Sequence, residues 1–495
     1  MSAALRFSSV TIALCLWATE AAATGPAVTV TPGANPPSTS TKVSGTGFGA
    51  NEIVDLYFDT TDEELSVTDA SGAFAAISIP VPAAALPGLH WITAGGRHSG
   101  LGAQAKFTVR TNWPQQGYGS QNKAFNPYEN VLSPQNVAGL EQAWSITGAL
   151  GPAIEDNGEL LVATGTSKAN VTALNPASGA TIWNKTVSTI NGGGLAEAAG
   201  LVLFGNGGSV EALRASNGTM SWTANTGQLI VGPVTPADGA VYAGGASGTL
   251  FVLDQATGAT LWTGTADVNN TFGRPSVAKE LGQDSVFAPC GQAVCALNRN
   301  GDLWSYPTLN GQVTQTAVSN GRVFFGDAHG DFVSVPANAL SFSLMSNQGA
   351  FTAAPAVADN LVYAGSQTNL YAYDARTLTN AWSVAPIGSF TSQPAVANGV
   401  VYTGNSGGDL FAFNAANGAL LWTAAGAGAA ITANIVANGM LFATDANGNL
   451  YAYALNAGND AAYRWNPRPP AMASLHPDLS LSPYRHATFR RADEQ

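Results

Sequence analysis

The chain has 495 residues, enough for a large core and more than one domain. Only 10% of them are charged and 56 are glycine, which excludes a disordered chain and points to a rigid, turn-rich β protein. A formal net charge of -12, with 19 basic residues, repels phosphate backbones and argues against a nucleic-acid partner.

Residues 1–23 read as a secretory signal. Arg6 gives the positive start, Phe7 to Trp17 the short apolar run, and Ala21-Ala22-Ala23 the small-residue cleavage site. The run is too short to span a bilayer, and no later one is long enough. Leu14 precedes Cys15 where a lipidated cysteine would follow a small residue, so the expected product is a soluble, secreted or periplasmic protein without a transmembrane segment.

Residues 24–110 carry short strand patterns at 27–31, 42–45, 53–58, 73–79, 90–93 and 105–110, separated by Gly, Pro, Asn and Asp turns. Six or seven short strands in so few residues predict a β-sandwich. Gly45-Thr46-Gly47-Phe48 followed by Glu52-Ile53-Val54 resembles immunoglobulin-like modules of the IPT type. The connector from Thr111 to Leu140 holds Trp113, Phe125, Pro127 and Tyr128 and is too aromatic for a free linker, so it should pack on the large repeat domain C-terminal to it.

From there to residue 455 one unit repeats. Val252-Leu253-Asp254 runs to Gly258 and Trp262, and the pattern recurs from Ala173 to Trp183, Ala212 to Trp222, Ala296 to Trp304, Ala372 to Trp382 and Ala412 to Trp422. Trp144, Trp183, Trp222, Trp262, Trp304, Trp382 and Trp422 lie 39, 39, 40, 42, 78 and 40 residues apart, and the gap of 78 is two periods with one tryptophan missing. A period near forty with strands and glycine turns predicts a β-propeller with four strands, A to D, per blade. Asp238-Gly239, Asn320-Gly321, Asn398-Gly399 and Asn438-Gly439 supply tight hairpin turns between A and B.

Strand C occurs eight times, at 171–175, 210–214, 250–254, 294–298, 332–335, 370–374, 410–414 and 450–454. Strand D is missing after the eighth, and Glu141–Ser145 around Trp144 should supply it and close the ring. In the weak copy Phe342 or Leu344 should replace the tryptophan. The expected architecture is therefore all-β: an eight-bladed propeller over 111–455, closed by an N-terminal strand, preceded by a small Ig-like sandwich and followed by a tail, 456–495, rich in proline and arginine. Cys290 and Cys295 flank a short turn, where an exported chain favours a hairpin disulfide over two buried thiols.

The Asp-x-x-Thr-Gly-x-x-x-Trp pattern resembles the tryptophan-docking repeat of the pyrroloquinoline-quinone (PQQ)-like propeller superfamily. That resemblance implies two outcomes. Quinoprotein alcohol dehydrogenases hold PQQ and Ca²⁺ near the axis, with a disulfide of adjacent cysteines, carboxylates on the metal and an Asp base. Other members are scaffolds, such as the lipoprotein of the outer-membrane β-barrel assembly machinery. This chain has no adjacent cysteines.

The D-to-A loops should ring one channel mouth. They offer Asp267 as the one carboxylate and Arg274 as the one cation, with Asn269, Asn270, Gln315 and Gln393 as neutral hydrogen-bonding groups. Ca²⁺ takes six to eight oxygens, usually several from carboxylates. The Asp327-Ala328-His329-Gly330-Asp331 turn reads as a solvated loop rather than a metal site. The expectation is a monomeric, non-catalytic propeller without catalytic residues, metal or cofactor, binding a protein or carbohydrate at the cell envelope. A PQQ-dependent periplasmic dehydrogenase is the alternative.

Overall fold

The computed structural model describes residues 25–455 except 166–167, 267–270, 281–282, 308–311, 338–342, 346–347, 386–387 and 427. The signal sequence and the tail expected from the sequence lie outside the described residues.

Residues 27–109 form two facing sheets. Ala27–Thr31, Ser40–Thr46 and Phe74–Pro80 make one; Ala34–Asn35, Gly102–Val109, Gly88–Gly96, Ile53–Phe58 and Thr61–Val67, in that order, make the other. Alternate residues face inward, so Val43, Leu56, Phe58, Ile92 and Phe107 share one buried core. Thr61–Val67 is a strand that the sequence pattern does not announce. Its Thr-Asp-Glu-Glu-Leu-Ser-Val run lacks apolar alternation because it is an edge strand, and charges there discourage pairing with other chains.

The rest of the described chain forms eight four-stranded antiparallel sheets in sequence order, one of which gains a short fifth strand from the connector. Blades 1 to 7 span 154–187, 196–225, 235–265, 276–307, 317–345, 356–384 and 395–424. Blade 8 is made of Ile431–Ala437, Met440–Asp445, Asn449–Leu455 and the earlier strand Leu140–Thr147. Trp144 pairs with Ala452 and Ser145 with Tyr451, so a strand from the front of the repeat completes the last sheet. One core runs through blades 6, 7, 8 and 1, which joins the ends of the ring. Among the described residues no helix is long and apolar enough to cross a membrane.

The tryptophans tie blades together. The indole N–H of Trp222 donates to Gln255 O of the next blade at 3.0 Å, Trp382 to Ala415 O at 3.0 Å, and Trp144 to Pro176 O at 2.8 Å. Each of these rings also lies on the C–D turn glycine of the blade it meets. A Cβ on Gly258, where φ is +74°, would sit 2.5 Å from Trp222. Only glycine permits both that φ and that approach. Trp183 differs: its N–H reaches Glu159 Oε2 of its own blade, at 3.3 Å.

Blade 5 corrects the expectation of a substitute aromatic or leucine. Ser343 pairs with Ser334, as Trp382 pairs with Ala372 and Trp262 with Val252, so serine holds the tryptophan's register. Leu344 is exposed, because the neighbouring residue on a strand faces the other way, and Phe342 lies outside the described residues.

Candidate functional site

Strand A lies at one edge of each blade's own four strands, and the A strands of neighbouring blades pack together, so their edge N–H groups gather around the axis. Such groups need acceptors. The connector supplies them. Val277 N–H donates to Ser120 O at 2.7 Å, Val318 to Gln121 O at 2.9 Å, Val357 to Lys123 O at 2.8 Å, and Val396 to Ala124 O at 2.8 Å. These four valines hold equivalent positions in blades 4 to 7. On the other side Trp113 exchanges two backbone bonds with Glu155 of blade 1, and Glu197 N–H of blade 2 donates to Pro114 O at 2.7 Å. Asn126 Nδ2 reaches Val436 O of blade 8 at 3.0 Å. The connector thus runs round the inside of the ring as a plug. Its backbone is irregular, with Gly117, Tyr118, Asn122 and Ala124 at positive φ.

Asn122 is the hub of the plug. Its Nδ2 donates to Thr316 O at 2.6 Å, and its Oδ1 accepts from Arg274 Nη2. Gly117 has to be glycine here, since a Cβ would lie 1.8 Å from Asn122 Oδ1. Arg274 Nη1 donates to Gln116 O at 2.6 Å. Gln393 Nε2 donates to Pro355 O at 3.0 Å and lies 3.3 Å from Asn122 Oδ1.

Arg274 and Gln393 therefore come together, but on a segment of their own chain. Gln315 stands at the equivalent position in the loop before blade 5, and its Oε1 is buried without a protein partner. Arg274 is buried, and desolvation lowers its pKa to about 10. Among the described residues it pairs with no carboxylate. Asp267, Asn269 and Asn270 lie outside the described residues.

A second polar group was not legible in the sequence. Glu155 and Glu197 occupy the strand A position that is valine in blades 4 to 7, and both are buried. Each caps its own hairpin, through Gly158 N–H to Glu155 Oε1 at 3.1 Å and Gly200 N–H to Glu197 Oε1 at 2.7 Å. Desolvation raises Glu155 to about 8. Desolvation and then a shared hydrogen bond with Asp156 raise Glu197 to about 9. Asp156 also accepts from Asn112 of the connector. Substitution of acids for valine in a regular repeat was the available signal.

Elsewhere, Asp327 Oδ1 accepts the N–H groups of His329, Gly330 and Asp331 at 2.9–3.0 Å, so this carboxylate orders its own turn. Cys290 and Cys295 are disulfide-bonded across the hairpin between strands B and C of blade 4, with Cα atoms 5.9 Å apart. Among the described residues no three His, Cys, Asp or Glu side chains converge as a metal site. The polar groups gathered around Asn122 are carboxamides, carbonyls and a guanidinium. That donor set does not fit a calcium-bound quinone, which calls for several carboxylate oxygens.

The sheets, their order and the tryptophan-docked seams define a propeller of the quinoprotein-like class. The chain belongs to the family described as outer membrane protein assembly factor BamB, whose profile matches residues 167–384 and 367–480, more than half of the sequence. No curated protein matches it. Among solved structures it is similar to quinohemoprotein alcohol dehydrogenase ADHIIG from Pseudomonas putida HK5, with a TM-score of 0.58 and 15% identity over 70% of this chain and 80% of that one. It is similar to BamB from Moraxella catarrhalis, with a TM-score of 0.53 and 18% identity over 65% of this chain and 99% of that one. It is also similar to the computationally designed Ika8 protein, with a TM-score of 0.54 and 16% identity over 63% and 98% of the two chains. An enzyme, an assembly factor and a designed protein share the fold, so the fold does not select the chemistry.

Proposed function

We propose that this chain is an exported, non-catalytic propeller scaffold that binds a protein or glycan partner at the cell envelope. The plug carries the reading. Asn122 engages Arg274 and Gln393, and connector carbonyls take up inner-strand N–H groups of blades 4 to 7. Asn122, the Arg274 Nη atoms and Gln393 Nε2, which would otherwise orient a small molecule near the axis, bond the chain itself. The surface left for recognition is the outside of the ring and the sandwich, which suits a macromolecule better than a cofactor. Membership in a family described as an outer-membrane assembly factor supports an envelope role.

Adding PQQ, Ca²⁺ and a primary alcohol to the purified chain, with an artificial electron acceptor, should give no turnover, and calorimetry should show no tight PQQ binding. Tight binding with Ca²⁺ that disappears in Asp267→Ala would replace the scaffold with a dehydrogenase.

A further inference from the structure

One cavity among the described residues opens between blades 8 and 1. It is a cleft of about 930 Å³ between the closing strand of blade 8 and the loops of blade 1. Clefts of this size hold drug-sized ligands, about the bulk of a few side chains. We propose that this cleft binds a carboxylate-bearing segment of an acidic peptide, a proposal that rests on the reading of the chain as a binding protein.

The lining makes the case. Thr147, Lys168, Asn170 and Asn447 bring a hydroxyl, an ammonium and two carboxamides to one opening. Asn170 uses its Oδ1 to accept from Thr186, so its remaining side-chain polar group at the cleft is a donor. No acidic residue is among the described lining residues, on a chain whose net charge is -12. Asp445, two residues before Asn447, is committed to Asn447 N–H, Asn449 and the Tyr451 hydroxyl at 2.7–2.9 Å. Lys168 and the hydrogen-bond donors make the cleft a donor-rich spot without a lining carboxylate on an acidic protein, and complementarity favours an anionic group there.

The choice of peptide over sugar also follows from the lining. None of these described residues is aromatic, so a pyranose face has no ring to lie on. Leu150 stands 46% exposed at the cleft and offers an aliphatic side chain a contact beside the charge.

The test uses the full chain and a fluorescein-labelled peptide of alternating Glu and Leu, followed by anisotropy. Saturable binding is expected, with the Gln-for-Glu peptide clearly weaker. Lys168→Glu should weaken the acidic peptide about tenfold, the loss of roughly one close charge contact. Lys168→Gln should fall between it and the parent. Lys185→Glu, on an exposed residue of the same blade outside the cleft, should leave affinity unchanged. Equal binding of the two peptides, or equal losses in the Lys168 and Lys185 variants, overturns the proposal. Stronger competition by tri-galacturonate than by unlabelled peptide overturns it in favour of an acidic glycan. PQQ-dependent turnover would overturn the scaffold reading and leave the titration interpretable, whereas failed peptide binding without turnover removes the cleft alone.

Discussion

Two seams of the ring solve one packing problem in opposite ways. Between blades 2 and 3, Trp222 lies on Gly258, and the glycine's missing Cβ is the space the indole fills. Between blades 5 and 6 the tryptophan register holds Ser343, and the turn position that is glycine in blades 1, 2, 3 and 7 holds Leu378. Leu378 is 2% exposed and joins a core with Phe332 and Tyr373, despite a φ of +57° that leucine rarely adopts. A large side chain has moved from one blade to its neighbour. What is constant is the filled volume between sheets, as close packing requires.

The largest break in this comparison should come from Trp222→Ala. It removes a buried aromatic ring and leaves Gly258 facing a hole, and should cost about 3–5 kcal/mol in denaturant unfolding. An unchanged transition midpoint would show that the indole does not hold the seam. Leu378→Gly should cost somewhat less, about 2–4 kcal/mol, because the cavity penalty is partly offset by relief of the positive φ. A stabilised Leu378→Gly would mean that turn conformation, not packing, governs that seam.

Ser343→Trp sharpens the point. Alone it should overpack against Leu378 and cost about 1–3 kcal/mol. Combined with Leu378→Gly it should be more stable than either single variant, a favourable coupling between neighbours. Strict additivity in that cycle would separate the two positions.

A pH effect concerns a third kind of position, where Glu155 and Glu197 stand in place of valine. Their folded pKa values of about 8 and about 9 lie above the ordinary 4.5. The folded chain therefore holds protons that the unfolded chain releases. Stability from these groups is full below the unfolded value and is lost as pH rises toward the folded values. The Tm should fall between pH 5 and pH 9, and Glu197→Gln should flatten that slope. A Tm that rises across the range would contradict buried, protonated carboxyls here.

Much of the fold was legible because propeller blades are local. Strands A to D of a blade are consecutive, and turn glycines and docking tryptophans mark each period, so counting was enough to place Glu141–Ser145 on the last sheet. The edge strand Thr61–Val67 was not legible, because an edge has only one neighbour to enforce an apolar face. The paired exchange of Ser343 and Leu378 was written in the sequence, but only the strand register placed Ser343 at the tryptophan position of that seam.

The candidate site was legible in its residue types and not in its partners. Arg274, Gln315 and Gln393 recur at one place in blades 4, 5 and 7, where blade 6 has Ala354, and periodicity alone put them near the axis. That Asn122, from a segment with no repeat, lies between Arg274 and Gln393 depended on contacts 152 and 271 residues apart in the chain. The sequence by itself determined the repeat, the ring and the strand that closes it, because those rest on short-range periodicity and β pairing. Only the tertiary structure decided what fills the axis, where buried acids stand and where a cleft opens, because those depend on which unpaired groups distant segments bring together.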